Sequence, residues 1–254
     1  MVRALQDSLG QLHTDTDEIL EIASSYHETL FTLDPLTQDV QDARDEIWSF
    51  VRPFGFRGYG DSHYVSFLFT RGLQHMFDMG SMPQSMSSGI ISLILKDGYA
   101  STLRQWRSIT LMSSVYKILA RMISARLRPF LLDLIHSSQT GFVHDRSILD
   151  NVVTFYEAVE WARQLEQPIA IMLLDFEKAY DRLDWAFLQG TLSRMGFSQP
   201  WIRGIFALYR SATTAVTIGG HVGKCFTLSR SVRQGCPLAP YLFLFFAETM
   251  ALYI

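Results

Sequence analysis

Among the 254 residues there are two cysteines, Cys225 and Cys236, and neither belongs to a C-x-x-C pair or a His-rich cluster. That excludes a zinc framework and a disulfide scaffold and fits two reduced thiols. Long apolar runs are missing too. The longest, residues 241–254, is broken by Glu248 and falls short of the roughly 20 residues that cross a bilayer. The N-terminus has no basic stretch leading into an apolar one. Neither a membrane span nor a secretory signal is expected, and the expected setting is intracellular, in the nucleus or the cytoplasm. Residues 52–61 are rich in Gly and Pro, yet no G-x-x-x-x-G-K-[ST] occurs there, so they form no phosphate loop. Internal repeats and low-complexity tracts are absent as well.

What is present is enough apolar residue, 48%, to bury a substantial core, and an uneven distribution of charge. Residues 1–50 hold eleven acidic residues against Arg3 and Arg44, a net of −9, which leaves residues 51–254 at +6. Basic character peaks between positions 96 and 128, where Lys96, Arg104, Arg107, Lys117, Arg121, Arg126 and Arg128 are opposed only by Asp97. Such a segment suits phosphate contacts, as it also suits a solvated helix face.

Periodicity predicts exposed amphipathic helices within residues 1–50, a helix over 63–79 and a strand over 90–95 entered from Gly89. The clearest helical period runs from 112 to 134, with Tyr116, Leu119, Ile123, Leu127, Phe130 and Leu134 three or four residues apart and Pro129 bending its end. Lys117, Arg121 and Arg128 form a stripe along one side of it. Further helices are expected at 148–161, 185–195 with Gly196 as a left-handed cap, about 199–210, and from Pro237 onward. Residues 213–218 and 224–228 are expected to form a hairpin around Gly219-Gly220, with a loop somewhat longer than the tightest turns. The continuous apolar run at 169–174 predicts a strand buried on both faces that ends at Asp175.

A carboxylate at the tip of a buried strand is held rigidly where a hard cation and substrate phosphates can meet, although an Asp at such a point also closes turns. Glu177, Asp181 and Asp184 follow it, Asp184 at the position of a helix N-cap before Trp185. The run at 175–185, D-F-E-K-A-Y-D-R-L-D-W, is similar to the first palm motif of non-LTR, LINE-type retrotransposon reverse transcriptases. Residues 229–243, S-R-S-V-R-Q-G-C-P-L-A-P-Y-L-F, resemble the same family's R-G-V-R-Q-G-C-P-L-S-P motif. Upstream, Q-T-G-F at 139–142 with R-S-I-L-D-N at 146–151, I-S-L-I-L-K at 91–96 and W-R-S-I at 106–109 resemble its remaining segments in the family's order.

The resemblance implies an α+β fold: a helical N-terminal segment at 1–82, then a reverse transcriptase domain at 83–254 with fingers at about 83–167 and an incomplete palm at about 168–254. It implies RNA-directed DNA polymerisation, with an RNA template, a DNA primer, deoxynucleotides and Mg²⁺. Asp175 matches the catalytic, metal-binding aspartate, and Phe176 would add its carbonyl to the metal. Tyr180 matches the aromatic gate that excludes a 2′-hydroxyl, a position that also suits a core aromatic. Gln234 and Gly235 match the pair that lines the nucleotide pocket, where glycine permits close approach. Arg107 resembles the triphosphate-binding arginine of the fingers, and Lys96 a second triphosphate cation.

Several family features are not found. No Asp-Asp pair occurs in the sequence, so the aromatic-Ala-Asp-Asp motif is missing. The family's P-G-P-D-G segment is reduced to Gly60-Asp61. Ser108 stands for Pro, Asp145 and Ser231 for Gly, and Ala239 for Ser. A positive φ at Ser231 would strain it. The expectation is a partial domain, inactive by itself, whose palm exposes apolar surface, the 241–254 helix included, to a protein partner. A non-catalytic nucleic-acid-binding protein is the alternative. A metal phosphatase using Asp175 and Asp181 lacks any companion motif.

Overall fold

The computed structural model describes residues 4–32, 78–96 and 102–253, with Val2, His75 and Met76 besides. The Gly/Pro-rich stretch at 52–61 and most of the helix expected at 63–79 lie outside the described residues. His75, Met76, Asp78 and Met79, at the end of that expected helix, are helical.

A small hairpin, β1 (Leu5–Gln6) and β2 (Leu12–His13), leads into α1 (Thr16–Phe31). Asp15 caps this helix by accepting from the Asp17 and Glu18 amides at 3.0 and 3.2 Å. Its apolar positions Ile19, Leu20, Ala23 and Phe31 are buried, as the amphipathic pattern predicts. After a single turn, α2 (Gln84–Ser87), come β3 (Gly89–Leu95) and β4 (Trp106–Met112), paired antiparallel over their full length from Gly89↔Met112 to Leu95↔Trp106. The long periodic segment becomes α3 (Ser114–Leu127), a 3₁₀ turn holding Pro129, and α4 (Leu131–Leu134). Then follow α5 (Ile148–Gln164), α6 (Trp185–Arg194) and α7 (Gln199–Ala207). Asp184 caps α6 through the Phe187 amide, and Gly196, at φ 88°, closes it in the left-handed region.

The sheet is completed by β5 (Thr213–Ile218), β6 (His221–Val222) and β7 (Phe226–Thr227) in the order β4-β3-β5-β6, with β7 also on β5. Ile218 pairs with His221, so the turn holds only Gly219 and Gly220, at φ 60° and 89°. The expected longer loop is thus corrected to a two-residue turn, which two glycines permit at no steric cost. β5 runs parallel to β3, from Gly89↔Thr214 to Ser92↔Thr217. The last helix, α8, covers Ala239–Tyr253.

Two apolar clusters hold these layers together. In one, α1 lies on the sheet, with Ile19, Leu20 and Phe31 against Ile91, Val216, Ile218 and Phe226. In the other, α3, α6, α7 and α8 enclose Tyr116, Leu127, Leu188, Ile205, Leu242 and Phe245. Trp185 touches both. The fold is α+β, as the motifs imply.

Two expectations fail. The run at 169–174 forms no strand; Met172 and Leu173 are 81% and 86% exposed. A buried strand needs a hydrogen-bonded neighbour, and within the described sheet every strand pairs without it. The strand buried along nearly its whole length is β5. Nor is the 241–254 helix exposed, since Leu242, Leu244 and Phe245 lie in the core. Apolar side chains are exposed instead along 169–174 and on α5, where Ile148, Leu149, Tyr156 and Trp161 face outward, and at scattered positions elsewhere.

Both positions where this chain replaces a motif Gly are left-handed: Asp145 at φ 62° and Ser231 at φ 96°. Ser231 also accepts from the Arg233 amide at 3.0 Å, so replacing it changes two things together. Ser231→Ala and Ser231→Gly both delete the hydroxyl, and only the second relieves the backbone. The glycine variant is expected to exceed the alanine variant by about 1 kcal/mol in urea unfolding. Equal stabilities would show that the backbone at 231 carries no strain.

Candidate functional site

The segment from Ser229 to Pro240 is fastened by main-chain bonds to two other motif segments. The Ser231 amide donates to the Leu183 carbonyl at 2.9 Å and the Val232 amide to the Tyr180 carbonyl at 3.0 Å. Trp185 Nε1 adds a bond to the Ser231 carbonyl at 2.7 Å. On the other side the Thr110 amide of β4 donates to the Gln234 carbonyl at 2.8 Å. Gly235, at φ 106°, follows directly. A Cβ built there would stand 2.9 Å from the Thr110 carbonyl oxygen, so the close approach that glycine allows is to β4 itself.

Beneath this loop lies Arg233, 1% exposed and itself at φ 55°. Its guanidinium sits 5.4 Å from the Tyr116 ring centre and donates to the Thr213 carbonyl at 3.3 Å, while Nε and Nη1 are buried without a hydrogen-bond partner. A cation on an aromatic face is worth about 2 kcal/mol when dry. Tyr116, Tyr209 and Cys236 form the rest of this floor, and burial pushes all three up from their ordinary pKa values.

Above the floor opens a cavity of about 530 Å³, lined by Arg121, Phe142, Tyr180, Gln234 and Gly235 and by residues 236, 237, 239 and 240. Tyr180 is half-buried, its ring 5.3 Å from that of Phe243 on α8, and burial raises its phenol. It is a wall residue of the cavity that also has a core contact. The structure therefore brings together Tyr180, Gln234 and Gly235. It does not bring Asp175, Phe176, Lys96 or Arg107 to the same wall. Phe176 packs on Phe243 and Phe246, sharing the Phe243 ring with Tyr180, and Asp175 beside it is exposed. Lys96 and Arg107, at the end of β3 and the start of β4, are exposed.

Of the other carboxylates of the 175–185 run, two are engaged and one is buried. Glu177 pairs with Arg182 at 3.0 Å, and Asp184 caps α6. Asp181 is buried, and desolvation lifts its pKa to about 6 against the pull of Lys178 and Lys96. Among the described residues no cluster of three or more His, Cys, Asp or Glu is suited to a metal ion. Asp175 is thus the carboxylate available to the Mg²⁺ that the resemblance implies. One carboxylate and a neighbouring carbonyl do not fit a two-ion centre.

The N-terminal helix reaches the same segments from behind. His27, buried on α1, donates from Nδ1 to the Ala23 carbonyl at 2.7 Å, and its Nε2 meets the Ser108 hydroxyl at 2.9 Å. Burial holds it neutral, with a pKa of about 4. Ser108, an unexplained departure in the sequence, is the hydroxyl that completes this imidazole. Lys178 donates to the Trp106 carbonyl at 3.2 Å and lies 6.0 Å from the Tyr26 ring, and Arg230 Nε caps the Leu30 carbonyl at 2.7 Å.

The family profile described as "Reverse transcriptase (RNA-dependent DNA polymerase)" matches residues 94–252, more than half the chain. The chain belongs to the reverse transcriptase family. Its relatives come from mobile elements. The "Transposon TX1 uncharacterized 149 kDa protein" of Xenopus laevis is 36% identical over 175 residues, 69% of this chain and 13% of that protein. The "Retrovirus-related Pol polyprotein from type-1 retrotransposable element R2" of Popillia japonica is 27% identical over 165 residues, 65% of this chain and 23% of that protein. The corresponding R2DM polyprotein of Drosophila melanogaster is 26% identical over 208 residues, 81% of this chain and 19% of its own length. The chain thus spans less than a quarter of the length of each of these relatives.

Two residues of this reverse transcriptase domain elude sequence reasoning. Arg121 falls in a stripe with Lys117 and Arg128, yet it alone of the three lines the cavity. Phe142 stands inside the Q-T-G-F segment without a role, and at φ 59° its exposed ring forms part of the wall. Arg146, from the same segment, serves the fold. Its guanidinium takes the carbonyls of His136, Gln139, Ile135 and Leu132 at 2.6, 2.8, 2.9 and 3.3 Å, securing the loop that carries Phe142.

His27 and Asp181 link stability to pH with opposite signs. His27 has a depressed pKa, so its contribution is complete above about 6.5 and lost as pH falls through about 4. Asp181 has a raised pKa, so its contribution is complete below about 3.8 and lost as pH rises through about 6. Each spans about 3 kcal/mol, and the two largely cancel. Unfolding followed at pH 6.5 and 4.5 should show Asp181→Asn losing stability on acidification and His27→Gln gaining it, both relative to wild type. Variants that track the wild type would refute the assignment.

Proposed function

We propose that the chain is the fingers, at about 83–167, and part of the palm, at about 168–254, of a LINE-type RNA-directed DNA polymerase, preceded by a helical segment at 1–82. The cavity is the seat of its incoming deoxynucleotide. The observation that carries this reading is the convergence of Tyr180, Gln234 and Gly235 on one wall, from motif segments more than fifty positions apart. Main-chain bonds fix the two segments to each other, so the wall is rigid before any ligand arrives. Tyr180 presents a ring wedged against Phe243, whose bulk would exclude a 2′-hydroxyl. Gln234, its carbonyl tied to β4, leaves its amide side chain for the sugar or base.

Arg107 and Lys96 are the cations assigned to the triphosphate, and Asp175 with the Phe176 carbonyl to Mg²⁺. An RNA template and a DNA primer are the partners this chemistry requires. The exposed apolar run at 169–174 suits pairing with strands of a protein partner. No helix among the described residues is long and apolar enough to cross a membrane.

Equilibrium binding of dTTP and UTP tests the pocket. Wild type is expected to prefer dTTP by roughly tenfold to a hundredfold, and Tyr180→Val to bring the two near parity. An unchanged preference would remove Tyr180 from sugar selection. Primer extension on an RNA template tests the chemistry: with one available carboxylate, the chain is expected to extend no more than Asp175→Asn does. Sustained extension that depends on Asp175 would show a complete centre.

A further inference from the structure

We propose that Arg121 is the phosphate-binding residue of the cavity, taking a nucleotide phosphate that the cations of the fingers strands do not reach. The inference rests on the nucleotide reading of that cavity and adds to it a residue no motif assigns.

Three observations point to Arg121. It is the one charged residue among the nine that line the cavity, so the wall carries a single positive charge with no carboxylate to neutralise it. It is exposed, and among the described residues it makes no ion pair. Other arginines nearby are committed to the fold: Arg146 to four carbonyls, Arg230 to the end of α1, and Arg233 to Thr213 and Tyr116. A guanidinium left unpaired on a concave, mostly apolar wall favours an anion there.

The mounting is rigid. Arg121 sits on α3, whose Tyr116, Leu119, Ala120, Ile123 and Leu127 are buried in the helical core. One turn earlier on that helix, Tyr116 supports Arg233, the residue directly before Gln234. The helix and the loop are therefore fastened to each other through the Tyr116–Arg233 contact, and both line the cavity. Phe142, in the same lining, offers an aromatic face for a base.

The phosphate has two possible sources, the incoming nucleotide or the template strand, and they are separated by the ligand used. Binding of dTTP, deoxythymidine and a short single-stranded oligouridylate is measured on the folded chain for wild type, Arg121→Gln, Arg121→Lys, Lys117→Gln and Tyr180→Val. Matching thermal unfolding of each variant to wild type keeps misfolding out of the comparison.

Loss of a charge-assisted bond predicts a weakening of about tenfold to a hundredfold in Arg121→Gln. Deoxythymidine should be unaffected, Arg121→Lys should recover part of the loss, and Lys117→Gln, on the same helix but off the cavity wall, should bind as wild type. Weakening confined to dTTP assigns the triphosphate, and weakening confined to oligouridylate assigns the template. If Arg121→Gln binds both phosphate ligands as wild type does while Tyr180→Val still loses the preference for dTTP over UTP, the Arg121 assignment fails and the cavity reading stands. Wild type that binds none of the three ligands overturns both.

Discussion

Everything on the cavity side of this domain depends on how closely the backbone of the Gln234-Gly235 pair lies against β4. The Thr110 amide reaches the Gln234 carbonyl, and the absence of a side chain at 235 lets the Thr110 carbonyl come within a distance no Cβ would tolerate. β4 carries Arg107 and Ser108; the loop carries the wall of the cavity. A seam made of main-chain atoms transmits position with little slack, because bond lengths and peptide planarity leave few soft coordinates. The same loop is bonded at 231 and 232 to the 180–185 segment, so three stretches far apart in sequence act as one rigid piece.

Rigidity of this kind is assembled from groups that would be costly if left alone. Arg233 enters the core as a cation, and its compensation is an aromatic face and one carbonyl. His27 avoids the cost by staying neutral between a carbonyl and a hydroxyl, and Asp181 reduces it by holding its proton to higher pH. The three solutions stand within or behind the motif segments. Polar groups buried there specify one arrangement, since each has few partners within reach.

Most helices were legible in the sequence because their signals are local. Asp184 precedes Trp185 as a cap should, Gly196 ends α6, Pro129 interrupts the long periodic stretch, and the β3 run is bounded by Gly89. The wall formed by Tyr180, Gln234 and Gly235 was legible for another reason, the likeness of whole motifs. What local signals cannot carry is pairing. Residues 169–174 have the composition of a buried strand, but a strand exists only with a neighbour, and β5 rather than this run occupies the place beside β3. The place of Arg121 in the cavity was not legible for a related reason: a stripe on a helical wheel shows which side chains share a side, not which of them meets a cavity built by other elements. Ser108 stood as a bare departure from the motif because its partner, His27, is 81 positions distant.

That last contact bears on where the domain begins. The family profile matches from residue 94, whereas α1 ends by residue 31. Yet α1 supplies the imidazole for Ser108, the ring beside Lys178 and the carbonyls that receive Arg230. A boundary drawn at the start of that match would separate α1 from the sheet on which it packs. The sheet would be left with a bare apolar face, and Ser108, Lys178 and Arg230 would each lose a contact with α1. In folding terms the earlier helix is no appendage: it is the outer half of a sandwich whose inner half is the sheet.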